Sequence, residues 1–235
     1  MAGFALIHGA GDVGWYWHLV EAELRARGHD TVAPDLPCED DAADLGDYAD
    51  AVVAATVATL GQSTELVVVG QSLGGFVAPL VCERLPAQLP ARLMVLVAPM
   101  IPAPGEAPAD YWADTGYEDE PRERYDDPVE LFCHDVAPEL TAEAFRRSRV
   151  QSGARLGEPS PLQAWPDMPT RVLLAREDRL VPAAFVRRVA RDRLGITPDE
   201  IDGGHTPALS RPGALAERLA AYAGEVGTAP DPARG

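Results

Sequence analysis

The sequence contains no lysine: its 20 basic side chains are all arginine, set against 37 aspartates and glutamates. We attribute the missing lysine to a compositional bias of the genome. The formal net charge of −17 argues against a nucleic-acid or anionic membrane partner, because both repel an acidic protein. A small molecule is the expected partner, and no feature of the sequence indicates an oligomeric state.

Cysteine is also scarce. Cys38, Cys82 and Cys133 are widely spaced, odd in number and without a CxxC pair, which predicts free thiols in a reducing compartment. No apolar run has the length of a membrane span, and the opening residues lack the pattern of a secretory signal. The sequence therefore predicts a soluble cytoplasmic protein.

Signatures of metal and cofactor sites are missing as well. The five histidines show no paired spacing typical of a zinc site, and the glycine-rich segment at 70–75 has neither a P-loop lysine nor the dinucleotide-binding glycine pattern. We expect no metal and no cofactor.

What the sequence does contain is an alternation of apolar strand patterns and amphipathic helix patterns. This alternation predicts an α/β fold, a doubly wound and mainly parallel six-stranded sheet with helices on both faces. The strands are predicted at Gly3–Ile7, Asp30–Ala33, Leu66–Val69, Arg92–Val97, Arg171–Ala175 and Thr197–Ile201. The helices are predicted at Trp15–Arg27, Asp47–Leu60, Leu73–Arg84, Ala183–Arg193 and Pro212–Tyr222.

One long segment, 100–169, breaks the alternation and predicts an inserted lid or cap on a core formed by 1–99 and 170–225. Short helices are expected within it at Asp127–Asp135 and Thr141–Val150. Its first half is strongly acidic, which would disfavour anionic substrates through repulsion. Residues 226–235 are expected to form a disordered tail.

The segment Gly70-Gln71-Ser72-Leu73-Gly74 lies between a predicted strand and a predicted helix. This is the context of the G-x-S-x-G nucleophile elbow, in which larger residues at Gly70 or Gly74 would collide with the neighbouring strand and helix. The sequence therefore predicts that Ser72 is an exposed nucleophile.

A serine hydroxyl needs a base, and that base needs an orienting acid. His205 follows the last predicted strand and is the candidate base. Asp178 follows the strand before it and is the candidate acid, with Glu177 and Asp202 as alternatives.

Two backbone amides are candidates for stabilising an oxyanion. One belongs to Leu73, directly after the nucleophile, and the other to Ala10 in the glycine-rich loop after the first strand. His8 precedes Gly9 in that loop, a position that favours a structural hydrogen bond over a role as catalytic base.

The segments HGAGDVGWYW, APDLP, GQSLGG, EDRLVP and GGH occur in an order and at a spacing that resemble the α/β-hydrolase superfamily. The chain is most similar to the compact branch that contains plant methylesterases, hydroxynitrile lyases and bacterial serine esterases. The resemblance implies that Asp178, four residues before a proline, is the acid. It also implies a sheet without the two leading antiparallel strands of the family.

We therefore expect a serine hydrolase acting on a small carboxylic ester, thioester or lactone, with Trp112, Phe132 and Trp165 as candidate walls of the substrate pocket. A hydroxynitrile lyase is disfavoured because enzymes of that kind in this branch use a pocket lysine. The remaining alternative is a non-hydrolytic protein on the same scaffold, either a lyase or cyclase or a module that binds a small ligand.

Overall fold

The computed structural model describes residues 1–63, 65–120 and 123–227, and within them six strands form one sheet. Every pairing between neighbouring strands is parallel, in the order β2-β1-β3-β4-β5-β6. The strands are β1 Gly3–Ile7, β2 Asp30–Val32, β3 Leu66–Gln71, β4 Ala91–Val97, β5 Thr170–Ala175 and β6 Asp199–Ile201. The predicted six-stranded parallel sheet is confirmed, with strand boundaries that differ by no more than two residues.

Nine α-helices lie within the described residues. They are α1 His18–Ala26, α2 Leu45–Leu60, α3 Gly74–Arg84, α4 Tyr111–Asp114, α5 Pro128–Phe132, α6 Pro138–Arg147, α7 Ala183–Leu194, α8 Pro207–Ser210 and α9 Pro212–Gly227. Single 3-10 turns at Gly14–Trp17 and Tyr117–Asp119 complete the set. None of the helices in the part of the chain that the structure describes is both long and apolar enough to cross a bilayer.

The sheet is covered on both faces because successive side chains of a strand point to opposite sides. Val68 and Ala5 pack on the face covered by α2, α3 and α7. Val67 and Val69 pack on the other face with Leu24 of α1, and this second cluster also includes residues of α9. Two apolar cores therefore cover the two faces of the sheet, and the loops with the candidate site residues follow the carboxyl ends of its strands.

Some helix boundaries differ from the predictions for local reasons. The first predicted helix is divided into a 3-10 turn and α1. The second begins at Leu45 because Asp44 caps it, accepting hydrogen bonds from the amides of Gly46 and Asp47. The last helix continues through Gly227, two residues into the segment expected to be a disordered tail, and the rest of that segment lies outside the described residues.

The segment 100–169 lies between β4 and β5 and contains α4, α5 and α6. Helices were expected near the last two: α5 is shorter than expected, and α6 has the expected length but begins and ends three residues earlier. A buried ion pair joins this segment to the core: the Arg193 guanidinium of α7 binds the carboxylate of Glu106, with an Nη2–Oε1 distance of 2.6 Å. The side chain of Glu106 is 3% exposed and that of Arg193 is 16% exposed, so solvent screens this pair little.

We expect Arg193→Leu to lower the free energy of unfolding by roughly 3 kcal/mol, because it leaves the Glu106 carboxylate buried without its partner. Urea denaturation followed by circular dichroism measures the change. Arg191→Leu is the matched control, since Arg191 is 70% exposed on the same helix and should change stability by less than about 0.5 kcal/mol. Equal effects of the two substitutions would contradict the anchoring role of the buried pair.

Candidate active site

Ser72 stands at the corner between β3 and α3 with a backbone φ of 52°, in the left-handed region that non-glycine residues rarely adopt. A Cβ added to Gly70 would collide with the carbonyl oxygen of Gly74. One added to Gly74 would lie 2.9 Å from the carbonyl oxygen of Ile7. The two glycines thus allow the corner to press against β1 and α3 while the serine occupies the strained position between them.

Hydrogen bonds from neighbouring elements hold the backbone of Ser72. Its carbonyl accepts from the amides of Gly75 at 2.9 Å and Met100 at 3.1 Å, and its own amide donates to Val97 at 3.3 Å. Strand β4 and the residues that follow it therefore support the strained turn. This support offsets the cost of the unfavourable φ angle.

His205 and Asp178 form a buried hydrogen bond, with 2.8 Å between Nδ1 of the ring and Oδ2 of the carboxylate. Their side chains are 3% and 1% exposed. The other carboxylate oxygen of Asp178 accepts from the amides of Leu180 and Val181, at 2.9 and 2.8 Å. These amides fix the carboxylate, which in turn orients the imidazole with Nε2 away from the acid.

The two alternative acids have other partners. Glu177 accepts a hydrogen bond from the amide of Gly203, and Asp202 pairs with the guanidinium of Arg176. Of the three candidates, Asp178 is the one whose carboxylate contacts the ring of His205.

The loop after β1 passes directly against the elbow: a Cβ on Gly9 would lie 3.0 Å from the Cβ of Ser72. Ala10 and Leu73 both line the cavity into which Ser72 opens. Within the described residues, neither of these two amides donates a hydrogen bond to another group of the chain. Both amides are therefore available to an oxygen bound beside Ser72.

His8 has a structural environment. Its Nε2 accepts from the amide of Leu36 at 3.1 Å, and its Nδ1 lies 2.8 Å from the carbonyl oxygen of Gly9. Burial lowers the pKa of this imidazole, which favours the neutral ring with a proton on Nδ1. The ring thus ties the loop after β1 to the segment after β2.

Gln71 belongs to the site and was missed by sequence reasoning, because it occupies the variable position of the elbow motif. Its side-chain nitrogen donates to the carbonyl oxygen of His205 at 3.1 Å and lies 3.3 Å from Nε2 of the same residue. Gln71 therefore connects the elbow to the histidine loop.

A cavity of about 590 Å³ opens above Ser72 and His205, with a mainly apolar wall. The core supplies residues of the loop after β1, the elbow, the histidine loop and Leu180, and the segment 100–169 supplies the rest of the lining. The residues contributed by that segment include Pro108, Ala109, Trp112, Phe132, Cys133, Ala144, Phe145, Ser148, Arg149 and Leu156.

Two of the three predicted pocket residues lie at this cavity. Trp112 and Phe132 line it, and the ring centroid of Phe132 is 5.7 Å from that of His205. Trp165 does not line it: its indole donates to the carbonyl oxygen of Pro102 at 3.1 Å and its ring packs against the core cluster. The prediction for Trp165 fails because the path of the segment 100–169 buries it elsewhere.

The three cysteines are unpaired, as the sequence predicts. In the residues that the structure describes, no group of three or more histidine, cysteine or acidic side chains has an arrangement that would hold a metal ion.

The alpha/beta hydrolase family model matches residues 4–218, and the chain belongs to this family. The chain is 36% identical over 110 residues to the probable esterase PIR7A of Oryza sativa subsp. indica. That match covers 44% of the chain and 41% of the rice protein, so the chain spans less than half the length of this curated relative. Methylesterase 7 of Arabidopsis thaliana is 26% identical over 246 residues, covering 92% of the chain and 94% of the relative.

Among solved structures, a pyrethroid hydrolase from Sphingobium faniae JZ-2 is similar with a TM-score of 0.75 and 22% identity. The superposition covers 95% of this chain and 97% of that one. At this identity the likeness establishes the shared fold.

We expect the free energy of unfolding of Ser72→Gly to exceed that of Ser72→Ala by about 1 kcal/mol, because glycine adopts a positive φ without the Cβ penalty. Both variants lack the hydroxyl, so the comparison isolates backbone strain from the loss of the side chain. Urea denaturation of the two variants measures the difference. A Ser72→Ala variant at least as stable as Ser72→Gly would contradict the strained elbow.

Proposed function

We propose that this chain is a serine hydrolase that cleaves a small carboxylic ester, or a related thioester or lactone, through a covalent acyl-enzyme. The observation that carries the proposal is the buried 2.8 Å hydrogen bond between His205 and Asp178, at the cavity wall shared by His205 and Ser72. The relatives named as esterase and methylesterase support the same chemistry.

In the proposed reaction, the hydroxyl oxygen of Ser72 attacks the ester carbonyl carbon while Nε2 of His205 takes its proton. The Nδ1 proton of His205 stays hydrogen-bonded to Asp178, which stabilises the imidazolium that forms. The amides of Ala10 and Leu73 donate to the oxyanion of the tetrahedral intermediate.

The intermediate collapses when the bond to the alcohol oxygen breaks and His205 returns the proton to that oxygen. A water molecule then attacks the acyl carbonyl carbon while His205 takes its proton. When the bond to Oγ of Ser72 breaks, His205 returns the proton to that oxygen and the carboxylic acid leaves. No metal or redox cofactor takes part in this sequence of steps.

The cavity supports a compact and mainly apolar substrate. Its volume of about 590 Å³ lies within the range of small-molecule sites. Trp112 and Phe132 supply flat apolar surface in its wall, and Phe132 lies near His205. Because residues of 100–169 form much of its wall, we propose that this segment acts as a cap that selects the substrate.

The first test is hydrolysis of p-nitrophenyl esters with acyl chains of increasing length. We expect the wild type to prefer short chains that fit the cavity, and Ser72→Ala to lose at least about a thousandfold in kcat/KM. Ser63→Ala is the matched control, because Ser63 lies beyond the amino end of β3, opposite the elbow. Hydrolysis by Ser72→Ala at the wild-type rate would refute the proposed mechanism.

A second test concerns the acid. Asp178→Asn should lower kcat by roughly a thousandfold to ten thousandfold with a small change in KM, because an amide cannot stabilise the imidazolium. Asp202→Asn is the control: its side chain is 67% exposed and pairs with Arg176, so kcat should change by less than about twofold. If the two substitutions reduce kcat equally, Asp178 is not the orienting acid.

A further inference from the structure

Two charged side chains of opposite sign, Asp12 and Arg149, line the candidate active-site cavity. The guanidinium of Arg149 is already paired, at 2.8 Å from Oδ2 of Asp35 and 3.8 Å from Oε2 of Glu39. Asp12 forms no ion pair with any residue that the structure describes, and its Oδ1 accepts from the amide of Val13 at 2.9 Å. The cavity therefore contains a carboxylate without a counter-charge.

The position of Asp12 relative to the reacting atoms is restricted. It follows Ala10 by two residues, so the two Cα atoms are within about 7 Å of each other. Gly11, between them, is held on both sides: its amide donates to Gln151 at 3.2 Å and its carbonyl accepts from the amide of Arg149 at 2.8 Å. These contacts anchor the backbone next to Asp12, and Asp12 lines the same cavity as Ala10 and Ser72.

The surroundings make an unpaired charge at Asp12 unfavourable. Burial raises the pKa of Asp12 to about 6, and the nearby charge of Asp35 acts in the same direction, while the Val13 amide opposes it. Above that pKa the carboxyl group is mainly ionised. A cation bound beside the ionised carboxylate of Asp12 would stabilise it by acting as its counter-charge.

Two further features favour a cation. The rings of Trp112 and Phe132 line the same cavity, and aromatic faces attract ammonium groups. The net charge of −17 raises the local concentration of cations around the protein. Both effects act in the same direction as the Asp12 carboxylate.

Resting on the proposed function, we propose that Asp12 is a specificity-determining residue that binds a positively charged ammonium group of the substrate. The substrate class is then a compact ester that carries an ammonium substituent a few bonds from the reacting carbonyl. Trp112 and Phe132 contribute aromatic surface to the same group.

The test compares two esters of nearly identical shape, acetylcholine and 3,3-dimethylbutyl acetate, which differ in the charge of one quaternary centre. Asp12→Asn is the informative variant because asparagine keeps an oxygen that accepts from Val13 while removing the charge. We expect the wild type to favour the cationic ester. The ratio of kcat/KM values, cationic over neutral, should fall at least about tenfold in Asp12→Asn, mainly through KM.

Asp167→Asn is the matched control, because it removes one negative charge at an exposed position outside the cavity. Its ratio should stay within about twofold of the wild type. A wild type without preference for the cationic ester, or an Asp12→Asn variant with an unchanged ratio, would overturn the assignment of Asp12 while leaving the proposed hydrolase intact.

Binding to the Ser72→Ala background separates the two proposals. Calorimetry with acetylcholine should show an affinity that falls about tenfold or more when Asp12→Asn is added. Asp12-dependent binding, together with no hydrolysis of these two esters or of the p-nitrophenyl series by the wild type, would refute the hydrolase and retain the cation site. Equal affinities of Ser72→Ala and the double variant would overturn the cation site whatever the hydrolysis assays show.

Discussion

The close approach of β1, β3 and α3 at the elbow is the constraint on which the site depends. Gly70 and Gly74 have no room for a side chain, and this packing leaves Ser72 at a φ of 52° between them. The same approach brings Gly9 against Ser72, so one steric condition sets both the position of the serine at the cavity wall and that of the adjacent loop that carries Ala10. A parallel sheet makes this possible because its strand ends share one edge.

The segment 100–169 forms hydrogen bonds with core loops that border the cavity. It supplies the Arg149 amide that holds Gly11, the carboxylate of Asp135 that accepts from the amide of Gly204, and the carbonyl of Phe132 that accepts from Thr206. Each contact fixes a core loop beside the cavity. The segment therefore holds the loops beside Ser72 and His205 in place in addition to forming part of the cavity wall.

Short-range patterns made the sheet, the turn at Ser72 and the pairing of His205 with Asp178 predictable from the sequence. Apolar periodicity and glycine spacing indicate the local conformation. In a parallel sheet, residues that directly follow the strands lie at the same edge, so their place in the chain also indicates their place in the fold. Trp165 and Gln71 were not predictable in this way. Their environments depend on how an irregular segment crosses the core and on which side chain reaches the histidine loop, and neither leaves a periodic signal.

The most direct measurement of the central claim is covalent labelling with a fluorophosphonate, followed by intact mass and peptide mapping. The account predicts one adduct per chain on Ser72, formed much more slowly when His205 is replaced by alanine, because a serine without its base is a weak nucleophile. A folded wild type that stays unlabelled, or an adduct on a different residue, would contradict it.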